Sequence, residues 1–244
     1  MRPAVSILMP ARNVERWIDD AIASVVDQRF ADWKLYALDD ASSDGTFGKL
    51  HHWAQSCPNI FVEWSSHHLG ISTALNSLAA LATGRLVMFM GADDYIGPKF
   101  LENAVECLEL HPEATVACPP ILEFERSIAD DVSAWSPEFD LDRLHEANCI
   151  PGPSVFRRAL FDAVPWPAGF EDTGCEDWAR WVLVHRAGLL KPVRMWQPYH
   201  HRIREGGLSN NLAANLPSIR AKIRQLHETG ALTVAPTEIG EHAA

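Results

Sequence analysis

Two hydrophobic runs in this chain end in the same way. Residues 34–40, KLYALDD, and residues 86–94, LVMFMGADD, each carry an apolar stretch into a pair of aspartates, Asp39-Asp40 and Asp93-Asp94. Runs of this length suit strands buried on both faces, as in a parallel sheet. Helical patterns lie between them: behind Asn13 as N-cap, Trp17, Ile18, Ala21, Ile22, Val25 and Val26 recur at helical spacing, and residues 46–55 and 71–84 read as two further helices. With residues 4–10 and 59–65 as strands, the order is β-α-β repeated. That order calls for a mostly parallel sheet with right-handed crossovers, in which the strands deliver their C-terminal ends to one rim. The two acidic pairs should therefore meet there. Like charges raise one another's pKa unless a cation or a hydrogen-bond donor stands between them, so the rim needs such a partner.

The second half is less regular. A helix follows Gly97-Pro98, residues 115–125 read as one strand, and residues 126–148 show no clear period. Residues 154–164 pass from strand to helix, 176–188 form a helix, 193–202 a strand, and 212–230 a closing helix before a flexible tail at 231–244. No linker or repeat separates a second domain. Residues 1–230 are expected to form a single α/β domain, with 1–97 as one half and 98–211 as the other.

Bulk properties narrow the partners. A formal charge of -11 over 244 residues leaves little from which to build a patch for a nucleic acid polymer or anionic lipid. The five cysteines, Cys57, Cys107, Cys118, Cys149 and Cys175, are scattered without a CxxC pair and read as reduced thiols. No apolar run approaches the roughly 18 residues that suggest a membrane span, and the first strand starts too early for a signal peptide, so the expected place is the cytoplasm.

Five motifs in order resemble those of the family-2 glycosyltransferases, over about residues 4–210. They are Pro10-Ala11-Arg12-Asn13, the full D-D-x-S-x-D-G-T match at residues 39–46, the segment from His68 through Gly70 to Asn76, Gly91-Ala92-Asp93-Asp94, and Glu176-Asp177-Trp178. The resemblance implies a GT-A fold, a mostly parallel central sheet flanked by helices. It also implies a nucleotide-diphosphate sugar donor, most simply a UDP-sugar, and a carbohydrate or lipid-linked acceptor reached at the inner face of a membrane in the latter case. By the same resemblance Asp40 contacts the base, with Pro10, Ala11, Arg12 and Asn13 lining that pocket and Gly70 on the donor side. Asp94 ligates Mn²⁺ or Mg²⁺, Asp93 contacts sugar or ribose, and Arg202 and Arg204 hold the diphosphate.

These roles suit the residue types. Hard carboxylate oxygens match Mn²⁺ or Mg²⁺, and guanidinium groups make forked bonds to phosphate. Asp177, at a helix start whose partial positive charge favours its ionised form, is the expected general base of an inverting transfer, with Glu176 beside it. Trp135 and Trp166, flanked by loop residues, are candidate platforms for an acceptor sugar. The chain also departs from the family pattern. Gly91 replaces a common aspartate, Leu75 a basic residue, Leu78 a glycine, His68 an asparagine, and Arg204 a frequent histidine. Leu75 and Gly91 support one rival reading, a catalytically impaired nucleotide- or sugar-binding module. A dinucleotide-dependent oxidoreductase lacks its G-x-G-x-x-G after the first strand, and a nucleotidyltransferase its glycine-rich loop and lysine.

Overall fold

The computed structural model of the chain describes residues 2–125, 131–170, 173–205, 207, 210–231, 234, 235 and 237. Eleven strands and seven helices are placed among them. Strand β1 (Val5–Ala11) is buried along nearly its whole length, as are β2 (Trp33–Asp40) and β4 (Leu86–Phe89); β3 (Ile60–Ser65) lies at the sheet edge and is half-buried. These four run parallel, in the order β4-β1-β2-β3. β9 (Val155–Arg157) then pairs antiparallel with β4 and with β6 (Val116–Cys118), and β10 (Pro192–Arg194) closes the seven-stranded sheet beside β6. One antiparallel strand among seven makes the sheet mostly parallel, in line with the α/β expectation.

The two faces of this sheet carry separate cores. On one, Val5, Ile7 and Met9 pack against α1 (Ile18–Val26), α2 (Thr46–Ser56) and α4 (Phe100–Leu110). On the other, Leu8 and Leu38 pack against α3 (Ile71–Leu81), α6 (Glu176–Arg186) and α7 (Asn210–Thr229). Strand alternation sends neighbouring apolar residues to opposite faces, so both runs must be apolar throughout. α5 (Arg158–Ala163) follows β9 directly.

Two segments expected to be single strands are each split between sheets. Residues 115–125 divide into β6 and β7 (Ile121–Phe124), and residues 193–202 into β10 and β11 (Tyr199–Arg202). Pro119, Pro120 and Pro198 fall at the breaks, where the missing N–H ends a ladder. After the breaks the chain enters a second, four-stranded sheet in the order β5-β11-β7-β8, formed with β5 (Tyr95–Ile96) and β8 (Asp131–Trp135). β8 lies in a region whose pattern had no clear period. The turn at residues 91–94 is therefore the corner where the chain leaves the large sheet and enters the small one.

Three further expectations are revised. Helix α1 starts at Ile18, so Asn13 is not its N-cap; Asn13 instead sits in the rim turn at φ 51, a left-handed conformation uncommon outside glycine. The closing helix starts at Asn210 and passes through Pro217. Within the segment expected to fray, Val234 bridges Pro167 and Ala235 is buried. Asn76 explains the second point of attachment: its Nδ2 donates to the carbonyls of Trp166 (3.1 Å) and Ala235 (2.9 Å), and its Oδ1 accepts from the Trp166 N–H (3.0 Å). Asn76→Ala would leave the Trp166 N–H and the Ala235 carbonyl unpaired in the interior, the Trp166 carbonyl keeping the Ala235 N–H, and should lower unfolding free energy by about 3 kcal/mol in a urea titration.

Candidate active site

The two acidic pairs are built alike. In each, the second aspartate is buried and its oxygens are occupied by donors. Asp40 accepts from the N–H groups of Leu69 (2.6 Å) and Gly70 (3.2 Å) and lies 2.7 Å from His68 Nδ1. Gly70 makes this approach at φ 79, a conformation that costs glycine little. Asp94 accepts the Tyr199 hydroxyl at Oδ2 (2.6 Å) and the Arg202 N–H at Oδ1 (2.8 Å), with His201 Nδ1 3.3 Å from Oδ1. The Tyr199 hydroxyl in turn accepts the Gly91 N–H at 3.0 Å.

The first aspartate of each pair is bonded differently. Asp39 accepts the Ser42 N–H at Oδ2 (3.2 Å), while its buried Oδ1 has no partner among the described residues. Burial raises its pKa, and the bonds to Ser42 offset this only in part. Asp39 lines a pocket of about 630 Å³ together with Ala41, Ser42, Phe47, Trp64 and Ser65. Asp93 receives Arg204 Nε at Oδ2, and its side chain is 19% exposed. Burial and the charge of Asp94 raise the Asp93 pKa, against the opposing effect of Arg204. Asp40 and Asp94 thus fasten the loops, while Asp39, as buried as Asp40, keeps one oxygen without a partner among the described residues and Asp93 is half-buried against Arg204.

The remaining rim residues fall into place around them. Pro10 and Ala11 end β1, with Ala11 beside Asp39 in register, while Arg12 is exposed. Asn13 ties its turn to the next: its N–H donates to Ser42 Oγ (3.0 Å) and its Oδ1 accepts the Ser43 N–H (2.9 Å). Ala41, at φ 54, is the other non-glycine residue at positive φ among those described, so local backbone strain is concentrated in these facing turns. Leu75 is buried in the core beneath α3, which removes it from any contact with a nucleotide.

Arg202 and Arg204 converge on the acidic corner. Arg202 Nε donates to the Asp93 carbonyl (2.8 Å) and its guanidinium lies 4.4 Å above the Phe124 ring; that of Arg204 lies 4.7 Å above Trp17. Burial opposes a charge on His201, yet the hydrogen bond to Asp94 and the acidic corner raise its pKa to about 9.

The donor set at this corner does not suit the expected Mn²⁺ or Mg²⁺. Such ions need several hard oxygen atoms with open lone pairs. The oxygens of Asp94 are committed to Tyr199, Arg202 and His201, Asp93 is paired with Arg204, and position 91 has no side chain. A Cβ at Gly91 would stand only 3.0 Å from Asp94 Cγ, so the aspartate common in the family could not enter without displacing Asp94. No group of three or more His, Cys, Asp or Glu among the described residues could hold a metal ion. A dication about 5 Å from one guanidinium would also be repelled by roughly 7 kcal/mol at an effective dielectric of about 20.

Asp177 reaches the same rim from the other core. β9 runs antiparallel, so it begins where β4 ends, with Val155 beside Met88. Gly152 precedes it, and the Asp177 carboxylate packs there: Oδ2 lies 3.0 Å from the position of a Gly152 Cβ and accepts Asn148 Nδ2 at 3.1 Å. Burial raises the Asp177 pKa to about 6, against the bonds from Trp178 and Asn148. Glu176 is different. It is 4% exposed, its Oε2 has no partner among the described residues, and burial followed by the charge of Asp177 raises its pKa to about 8.

The aromatic candidates separate. Trp166 is 3% exposed, with Arg180 4.4 Å from its ring and Phe161 beside it, so it is a core residue and not a sugar platform. Trp135, on the edge strand β8, is 41% exposed and keeps an accessible face. Sequence reading passed over Asp39, Trp64, Tyr199 and Asn148; Asp39 was one position from the chosen residue, whereas Tyr199 and Asn148 had no motif to mark them.

The mostly parallel sheet, with acidic turns at its strand ends and a pocket lined by Asp39 at that edge, is an α/β frame of the ligand-binding kind. The description "Glycosyl transferase family 2" matches residues 6–164, more than half of the chain, and the chain belongs to that family. It is 37% identical over 90 residues to the Escherichia coli UDP-Glc:alpha-D-GlcNAc-diphosphoundecaprenol beta-1,3-glucosyltransferase WfgD, covering 37% of this chain and 35% of that one. An uncharacterised glycosyltransferase of Nostoc is 24% identical over 219 residues, 86% of this chain and 67% of that one. The first three curated relatives are matched over only 20%, 42% and 35% of their lengths. Among solved structures, Staphylococcus aureus TarS 1–349 with UDP superposes with a TM-score of 0.67 at 16% identity, over 93% of this chain and 71% of that one. A Pyrobaculum calidifontis mannosyltransferase with GDP-Man and Mn²⁺ gives 0.65 at 19% identity, over 91% and 61%. These likenesses identify the fold as GT-A. No helix among the described residues is long and apolar enough to cross a membrane.

The different roles within each pair can be separated experimentally. Asp94→Asn should lower unfolding free energy by about 3 kcal/mol because it breaks charge-assisted bonds in the interior. Asp93→Asn should lower it by about 1 kcal/mol or less, since the lost partner is a part-exposed arginine. Chemical denaturation of both variants checks this.

Proposed function

We propose that the chain is an inverting glycosyltransferase that moves a sugar from a nucleotide-diphosphate donor, a UDP-sugar, to a hydroxyl of a carbohydrate or lipid-linked acceptor. The observation that carries this reading is the unpartnered Oδ1 of Asp39 in the pocket beside Trp64. A buried acceptor oxygen calls for a donor, and the imide N–H of uracil supplies one while its ring lies against the indole. The names of two similar proteins support the assignment: WfgD is named for UDP-Glc and a diphosphoundecaprenol-linked sugar, and TarS was solved with UDP.

Asp177 is the general base. It takes the proton of the acceptor hydroxyl as that oxygen attacks the anomeric carbon. The bond from that carbon to the diphosphate oxygen breaks, and its electron pair stays on the departing nucleotide diphosphate. One displacement inverts the anomeric centre. Asn148, donating to Asp177 Oδ2, aims the carboxylate, and the start of α6 favours its ionised form. The Mn²⁺ or Mg²⁺ expected from the family has no part in these steps.

Asp177→Asn should reduce turnover by about a thousandfold while nucleotide affinity stays within about twofold, read by a transfer assay and calorimetry. Normal turnover would remove Asp177 from the mechanism; absence of turnover in the wild type with any donor would favour the impaired binding module. The ionised carboxylate is the active form and its pKa is raised to about 6, so kcat/KM should fall as pH drops through that value and level off above it.

A further inference from the structure

We infer that this enzyme holds its donor diphosphate with arginine in place of a divalent metal, Arg204 standing where the cation of a D-x-D-type site would. The inference rests on the nucleotide-donor reading above. Four observations carry it. Arg204 Nε donates to Asp93, so a positive charge is already fixed on that carboxylate. Asp94 cannot swing out to bind a metal without breaking its bonds to Tyr199 and Arg202, whose donors come from a strand more than 100 residues along the chain. Gly91 removes one carboxylate from the motif and leaves its space to Asp94. Finally, Trp17 holds two guanidinium groups near one ring, Arg204 at 4.7 Å and Arg16 at 5.6 Å, beside a cleft of about 910 Å³ that Arg202 also lines.

Charge explains why these features belong together. Arg204 is paired with Asp93, His201 lies against Asp94, and the Arg202 guanidinium sits on the Asp93 carbonyl and 3.7 Å from Asp20, so cationic groups already stand at the acidic corner and disfavour a further dication. Arg16 adds another positive charge, while Asp20, Glu125 and Glu205 around the outer cleft keep the opening near neutrality. A diphosphate approaching Asp93 meets guanidinium groups held by aromatic faces and by carboxylate, and planar guanidinium can bond two phosphate oxygens at once. During transfer the same groups face the negative charge that builds on the leaving diphosphate, the task a metal performs in metal-dependent enzymes. Arg204 occupies the position of the family's frequent histidine, and that substitution and Gly91 together form one coherent exchange of metal chemistry for arginine chemistry.

Calorimetric titration of UDP into the wild-type chain, first in EDTA and then with Mn²⁺, provides the test. Affinity in EDTA should lie within about twofold of that with Mn²⁺, and Arg204→Ala should weaken binding in EDTA by at least about tenfold. Arg204→His, which removes the fixed charge and supplies an imidazole, should bind UDP more tightly when Mn²⁺ is added. UDP binding by the wild type that needs Mn²⁺, with affinity unchanged in Arg204→Ala, would overturn the arginine assignment and leave the donor reading intact. Failure of UDP to bind the folded wild type with or without metal would overturn the donor reading and this inference with it. Thermal melting of each variant shows whether a loss of binding reflects unfolding, and the EDTA comparison on the wild type needs no variant.

Discussion

The rim of this protein depends on two buried carboxylates that hold its loops together. Asp40 and Asp94 each bind a distant segment to the end of a parallel strand: the 68–70 loop in one case, and β11 in the other. Charge-assisted bonds of this kind contribute about 1.5–3 kcal/mol each, and an ionised oxygen left unpaired at such depth would cost more than that. The second aspartate of each pair is therefore committed by its burial. In β2 strand alternation points Asp39 away from Asp40, whereas Asp93 and Asp94 lie in a turn and are separated by their partners, Arg204 and the residues of β11.

The corner at residues 91–94 shows how such bonds shape the fold. There the chain passes from the seven-stranded sheet into the four-stranded one, and Tyr199 joins them by accepting from Gly91 and donating to Asp94. The same strand brings His201, Arg202 and Arg204 to the acids. Packing and charge compensation at the corner consequently share the same residues. On the opposite core, burial raises the pKa of both Glu176 and Asp177, and the charge of Asp177 raises that of Glu176 further.

Much of the architecture was legible in the sequence because strand and helix periods are local. The parallel sheet, the rim and the acidic pairs all follow from the unbroken apolar runs and the helices between them. The choice between the two members of each pair was not legible. It is decided by donors 28 to 108 residues away, and a motif read one residue at a time carries no record of them. Trp166 failed for a related reason: its loop setting suggested exposure, but Asn76 draws that loop against α3 and the core closes over the indole. The split strands were foreshadowed by Pro119, Pro120 and Pro198, which end ladders without saying where the chain goes next.

The central claim is that the first aspartate of each pair faces the ligand while the second secures the fold. A crystal structure of the chain with UDP tests it most directly. The account expects the uracil beside Trp64 with its imide N–H on Asp39 Oδ1, the diphosphate at Arg204, and Asp40 and Asp94 keeping their present partners. A base bonded to Asp40, or a diphosphate bound away from the Asp93 corner, would contradict it.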